Sequence, residues 1–114
     1  MTRIKFQQNL DDLKERLLIM AGMAEQAIQR SIEAYSSRDL SICELVFRSE
    51  PAINRLEREI DQLALDLLAM EQPMAIDLRF ILSVIRINAA LERVGDQAVN
   101  IAIRVREMGA FANT

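Results

Sequence analysis

The chain has 114 residues, 51% of them hydrophobic and 27% charged, with a formal net charge of −3 and a sequence pI of about 5.0. That length suits one domain and leaves no room for a second core, and charges of both signs spread along the chain exclude the basic footprint of a nucleic-acid binder. The single cysteine, Cys43, allows no internal disulfide, no apolar run approaches the roughly 20 residues that span a bilayer, and residues 1–12 carry no signal-peptide core, so the expected location is cytoplasmic.

Leu, Ile, Ala and Met dominate the apolar share, aromatics are only 4%, and Gly and Pro together number five, a composition that favours helix. The first predicted helix, about 7–36, carries Phe6, Leu10, Leu13, Leu17, Met20, Ala24, Ala27, Ile28 and Ile32 at three- and four-residue spacing, an amphipathic pattern. It stops at Ser36-Ser37-Arg38-Asp39, where Asp39 suits an N-cap by accepting backbone N–H groups. The second helix, about 39–71, has its apolar period on Ile42, Leu45, Val46, Ile53, Leu56, Ile60, Leu63, Leu67 and Met70, with a kink expected at Pro51. Glu71-Gln72-Pro73 ends it, because proline is tolerated in the first turn of a new helix, and the third helix runs over about 74–108, before Gly109. Short connections make sequential helices antiparallel neighbours. The expected fold is therefore all-α, an up-down-up antiparallel three-helix bundle filling residues 1–114 as one domain.

The third helix reads as having two apolar sides at 100° per residue. Leu78, Ile81, Leu82, Ile85, Ala89, Val99 and Ile103 lie on one, and Phe80, Ile87, Leu91, Val94, Ala98, Ile101 and Val105 roughly opposite. Between them Arg79, Arg86, Arg93, Gln97, Asn100 and Arg104 form the stripe expected to face water. A helix in an isolated bundle buries one side, so the second is expected to pack either in a broad groove or against another copy or domain.

Glu92 and Asp96 share the direction of Leu78, Ile85 and Ile103, and Glu57 and Asp61 repeat the four-residue spacing on the second helix, with Glu50 and Asn54 just before them. Like charges at that spacing repel, more so when buried. Two readings stand side by side: acids compensated by arginines such as Arg55, Arg58 and Arg93, or oxygen ligands converging from facing helices on a hard cation. With no histidine and one cysteine, a Glu-x-x-His di-iron site and the usual zinc sites are excluded. No phosphate-cradling glycine loop occurs, and no serine or cysteine has a histidine base, which argues against an enzyme. Cys43 reads as a packing residue.

The segment Gln72-Pro73-Met74-Ala75-Ile76-Asp77-Leu78-Arg79, followed by Leu91-Glu92-Arg93-Val94-Gly95-Asp96-Gln97-Ala98-Val99-Asn100-Ile101-Ala102, closely resembles the PhoU family of phosphate-transport regulators. The stretch Ile53-Asn54-Arg55-Leu56-Glu57-Arg58-Glu59-Ile60-Asp61 and the positions from Met20 to Ala27 resemble it too, so the likeness covers nearly the whole chain. It implies a non-enzymatic cytosolic regulator, built from two three-helix repeats and peripheral to the membrane. Such a protein limits phosphate uptake and holds the phosphate-regulon sensor kinase inactive when phosphate is plentiful. The implied partners are the transporter's ATPase subunit and the membrane-bound sensor kinase. The implied cofactor is iron or another divalent or trivalent metal cluster on Glu-x-x-x-Asp motifs, matched by Glu57 with Asp61 and Glu92 with Asp96. Glu50, Asn54 and Asn100 are the additional polar candidates, and Arg79, Arg86 and Arg93 the candidate partner or anion contacts. One repeat is present, so a homodimer or a second repeat is expected. A metal-sensing bundle, or an accessory domain of another phosphate transporter, is the alternative.

Overall fold

In the computed structural model, which describes residues 2–70 and 73–112, the chain forms α1 (Thr2–Ser37), α2 (Leu40–Met70) and α3 (Ala75–Ala112). Each helix packs on both others, giving the expected all-α up-down-up bundle, a rod of 65 × 18 × 17 Å. Glu71 and Gln72, part of the expected second break, lie outside the described residues. Pro73 and Met74 are non-helical and precede α3.

The ends of the helices follow local chemistry. Arg38 takes a left-handed φ of 62°, donates its N–H to the Ala34 carbonyl at 2.8 Å and so closes α1. Asp39 then caps α2: its Oδ1 accepts from the Ser41 N–H at 2.9 Å and the Ser41 hydroxyl at 2.6 Å. Those bonds, the hydroxyl's first, hold its carboxyl below the ordinary value. α1 starts five residues before the expected boundary of about 7, so that Phe6, the first residue of its apolar period and already in the core, lies inside the helix. α3 continues past Gly109, which has no left-handed φ and lies close to Leu40, a built Cβ meeting its Cδ2 at 3.3 Å. Packing, and not a C-terminal cap, explains that glycine. α2 is unbroken through the exposed Pro51.

One core runs the length of the rod, with Leu13 and Met20 from α1, Val46 and Ile60 from α2, and Ile81 and Val105 from α3 all fully buried. Each such side chain contributes about 1.5–3 kcal/mol in transfer free energy. Cys43 is 1% exposed within it, and burial pushes its thiol up, in keeping with a packing role.

The two apolar sides expected on α3 need correction. Its buried seam is Ile81, Val84, Asn88, Gly95, Ala98, Ala102 and Val105, which takes Ile81 from one group and Ala98 and Val105 from the other and is centred between them. The two groups are flanks of one wide buried sector, since a helix in a three-helix bundle faces two neighbours at once. Leu78, Leu82, Ile87 and Val94 are the large flank residues left open, at 36–46% exposure. Opposite the seam, Arg79, Arg86, Arg93 and Arg104 are exposed as expected.

Candidate functional site

On α2, Ile53, Ile60 and Ala64 are buried, and the helical advance places Glu57 and Asp61 on the flank of that seam, half-buried toward α3. On α3, Asn88 and Gly95 occupy the seam, while Glu92 is half-buried beside them and Asp96 is exposed. Gly95 faces Ile53 of α2: a Cβ built there would sit 3.5 Å from Ile53 Cγ2 and 3.6 Å from Cδ1, ordinary contact distances.

Asn88 is 0% exposed. Its Nδ2 donates to the Glu57 carbonyl at 2.9 Å and to the Asp61 carboxylate Oδ1 at 3.1 Å, tying α3 to the first acid pair. Its Oδ1 is buried with no hydrogen-bond partner, which in native proteins commonly marks a water or an ion. Sequence reasoning passed over Asn88 because it belongs to neither apolar side. Its spacing of four from Val84 and seven from Gly95 was the available signal.

The four acids act on one another electrostatically. Burial pushes the Glu57 carboxyl above its ordinary value, and Asp61 beside it pushes the same way; Asp96 adds a smaller upward effect against Arg58. Glu92 is raised by burial, then by Asp96 and by Glu57, with Arg93 opposing. None of the four acids forms a salt bridge among the described residues, so the expected compensation by Arg55, Arg58 or Arg93 is not made by direct contact. Nor do three or more His, Cys, Asp or Glu side chains group there as ligands for one metal ion. The donor chemistry, all oxygen, suits a hard cation, while the side chains as placed do not close around one.

Glu50 and Asn54 are half-buried on the turns of α2 before Glu57. Asn100 is exposed one turn beyond Asp96, beside Arg104 and Glu107. Arg79, Arg86 and Arg93 stand apart from the acid cluster on the outer side of α3, although Arg93 acts on Glu92 through charge.

Because Glu57 and Glu92 are raised, the folded chain holds protons that the unfolded chain would release. The resulting stability is full below the ordinary glutamate value of 4.5 and declines as pH rises through the folded values. The melting temperature should therefore rise as pH falls from about 7 to about 5, above the range where the depressed Asp39 takes up its proton. Glu57→Gln with Glu92→Gln should stabilise the neutral protein by about 0.5–1 kcal/mol, from two relieved i,i+4 repulsions, and flatten that pH dependence. A slope unchanged by the double substitution, in calorimetry across this range, would contradict the assignment.

The geometry defines a long, all-α three-helix unit with paired carboxylates on the α2–α3 flank, and comparison with known proteins places that unit in a family. The PhoU domain model matches residues 17–105; the chain belongs to the PhoU family. Similar proteins include the phosphate-specific transport system accessory protein PhoU homologue of Clostridium acetobutylicum, 37% identical over 95% of this chain and 50% of that one. The corresponding Rhizobium meliloti protein is 41% identical over 88% and 42%. The crystal structure of PhoU from Pseudomonas aeruginosa superposes with a TM-score of 0.90 at 33% identity, covering 92% of this chain and 50% of that one. This chain thus spans about half the length of the relatives it matches. Among the described residues, no helix is long and apolar enough to cross a membrane.

Proposed function

We infer that this chain is a non-enzymatic regulatory adaptor of phosphate uptake, working on the cytoplasmic side by docking onto the ATPase subunit of a phosphate transporter and onto the sensor kinase of the phosphate regulon. The observation that carries the reading is the match to phosphate-transport accessory proteins over nearly the whole chain, including the segments that bear the acid pairs. The absence of histidine from the sequence agrees with a role in binding and not in acid–base catalysis. The test is expression of the chain in a bacterium lacking its own accessory protein, with a phosphate-starvation reporter read at high phosphate. Restored repression is expected, together with binding to the purified ATPase subunit. A reporter that stays fully on, with no binding to that subunit, would refute the adaptor role.

A second reading, metal dependence, is favoured by one observation: the orphaned Asn88 Oδ1 lies on a side chain already bonded to Asp61. In this reading Glu57, Asp61, Glu92 and Asp96 hold iron or another hard cation, which supplies the positive charge that two raised carboxyls lack. Side-chain rotation brings the acids together. Titration with iron or manganese should show binding that Asp96→Asn weakens without loss of helicity. Metal stoichiometry unchanged by that substitution would remove these acids from the site.

A further inference from the structure

On the outer side of α1, Ile4, Asp11, Leu18, Glu25 and Ile32 recur every seven residues, and all five are exposed. The three apolar members are unusually open, at 64%, 67% and 55%. A strict seven-residue repeat keeps to one side of a helix and suits packing against another helix. Here it lies on the side away from the bundle core, so the core does not account for it. Asp11 and Glu25 accept hydrogen bonds from their own helix's Gln7 and Gln29 and form no salt bridge among the described residues; Asp11 also borders a shallow groove shared with Ile76 and Phe80 of α3.

The outer side of α3 is its counterpart. Arg79, Arg86 and Arg93 follow the same seven-residue repeat, are exposed, and make no salt bridge among the described residues. Asp11 and Glu25 are fourteen residues apart, as are Arg79 and Arg93, which is about 21 Å along either helix. When the acids face the outer arginines, Leu18 falls opposite Arg86. Leu82, Ser83, Ala89 and Ala90 surround Arg86, all exposed, so the aliphatic stem of Arg86 and the Leu82 side chain are the apolar surface offered to Leu18. Both the sign of charge and the repeat length therefore match between two surfaces of one chain.

We propose that the outer face of α1 docks on the arginine stripe of α3 of a second copy of this three-helix unit, pairing Asp11 and Glu25 with Arg79 and Arg93 around Leu18. The contact joins different surfaces of the two copies, so it is heterologous and is repeated by each copy unless the assembly closes. The charge pairs set register and partner orientation, and Leu18 supplies the apolar contact.

The test is light scattering on the full chain across a concentration series, at low salt and at physiological ionic strength, where charges farther apart than about 8 Å are largely screened. The wild type should show a mass above that of the monomer at low salt, falling as salt rises. Arg79→Glu with Arg93→Glu, and separately Asp11→Arg with Glu25→Arg, should each weaken association about tenfold or more. An equimolar mixture of the two variants should restore it, because each then offers the complement of the other; restoration also shows that both variants fold. A wild type that is monomeric throughout the low-salt series overturns the proposal. So does association indifferent to both variants, or a mixture that fails to recover. If the monomer instead cosediments with anionic phosphatidylglycerol vesicles through the same arginines, the stripe belongs to lipid and not to a second copy.

Discussion

Asn88→Asp should cost about 3–5 kcal/mol at neutral pH, the range for an uncompensated buried charge, the largest loss expected from any one-atom change at the α2–α3 contact. Residue 88 is 0% exposed, and its amide nitrogen faces the Glu57 carbonyl and the Asp61 carboxylate. Replacing that N–H donor by a carboxylate oxygen sets a third acceptor against two and adds negative charge beside acids that already repel. The cheapest escape is protonation, so the variant should recover much of its stability toward about pH 5. Asn88→Leu is the informative contrast. It removes the donor and the orphaned Oδ1 together but leaves the Glu57 carbonyl and the Asp61 carboxylate without that donor, so it should cost about 1–3 kcal/mol, less than the aspartate and with little dependence on pH. Urea unfolding of both variants at two pH values measures this directly. If Leu proved as damaging as Asp, the asparagine would be chiefly a structural bond and the electrostatic account of the site would be wrong.

Gly95 should show a size threshold. Its built Cβ meets Ile53 at 3.5 and 3.6 Å, ordinary van der Waals distances, and Ala exceeds Gly in a helix interior by about 0.5–1 kcal/mol. Gly95→Ala should thus be neutral or slightly stabilising. Gly95→Leu must push α3 away from Ile53 or force strained rotamers, at about 1–3 kcal/mol, and the displacement falls between the Glu57–Asp61 and Glu92–Asp96 pairs. The Leu variant should therefore also lower the raised carboxyl values toward ordinary ones, read as a weaker pH dependence of melting. A Leu variant as stable as the Ala variant would mean that the helices separate there at no cost.

Together the two residues explain why an acid cluster persists at a helix contact. Gly95 packs on Ile53 at ordinary contact distance and Asn88 bridges the two helices, while no arginine salt bridge neutralises the acids among the described residues. The raised Glu57 and Glu92 carboxyls are the electrostatic consequence. A cation or a basic partner surface would relieve the repulsion, which is why the same cluster serves both the docking and the metal reading.

Much of this was legible in the residues. Three apolar periods, the break at Asp39 and the outward arginines depend on the helical advance and on side chains within a few positions, and so follow from local order alone. The four-residue spacing likewise puts Glu57 with Asp61, and Glu92 with Asp96, on shared helix sides whatever surrounds them. The tertiary structure decided which sector of α3 is buried, that Asn88 lies at its centre, that Gly95 faces Ile53, and that burial, with the neighbouring acids, raises the Glu57 and Glu92 carboxyls. Those outcomes depend on residues about 30 to 40 positions away on another helix, and periodicity along one helix specifies an angle about its own axis but not what stands opposite it.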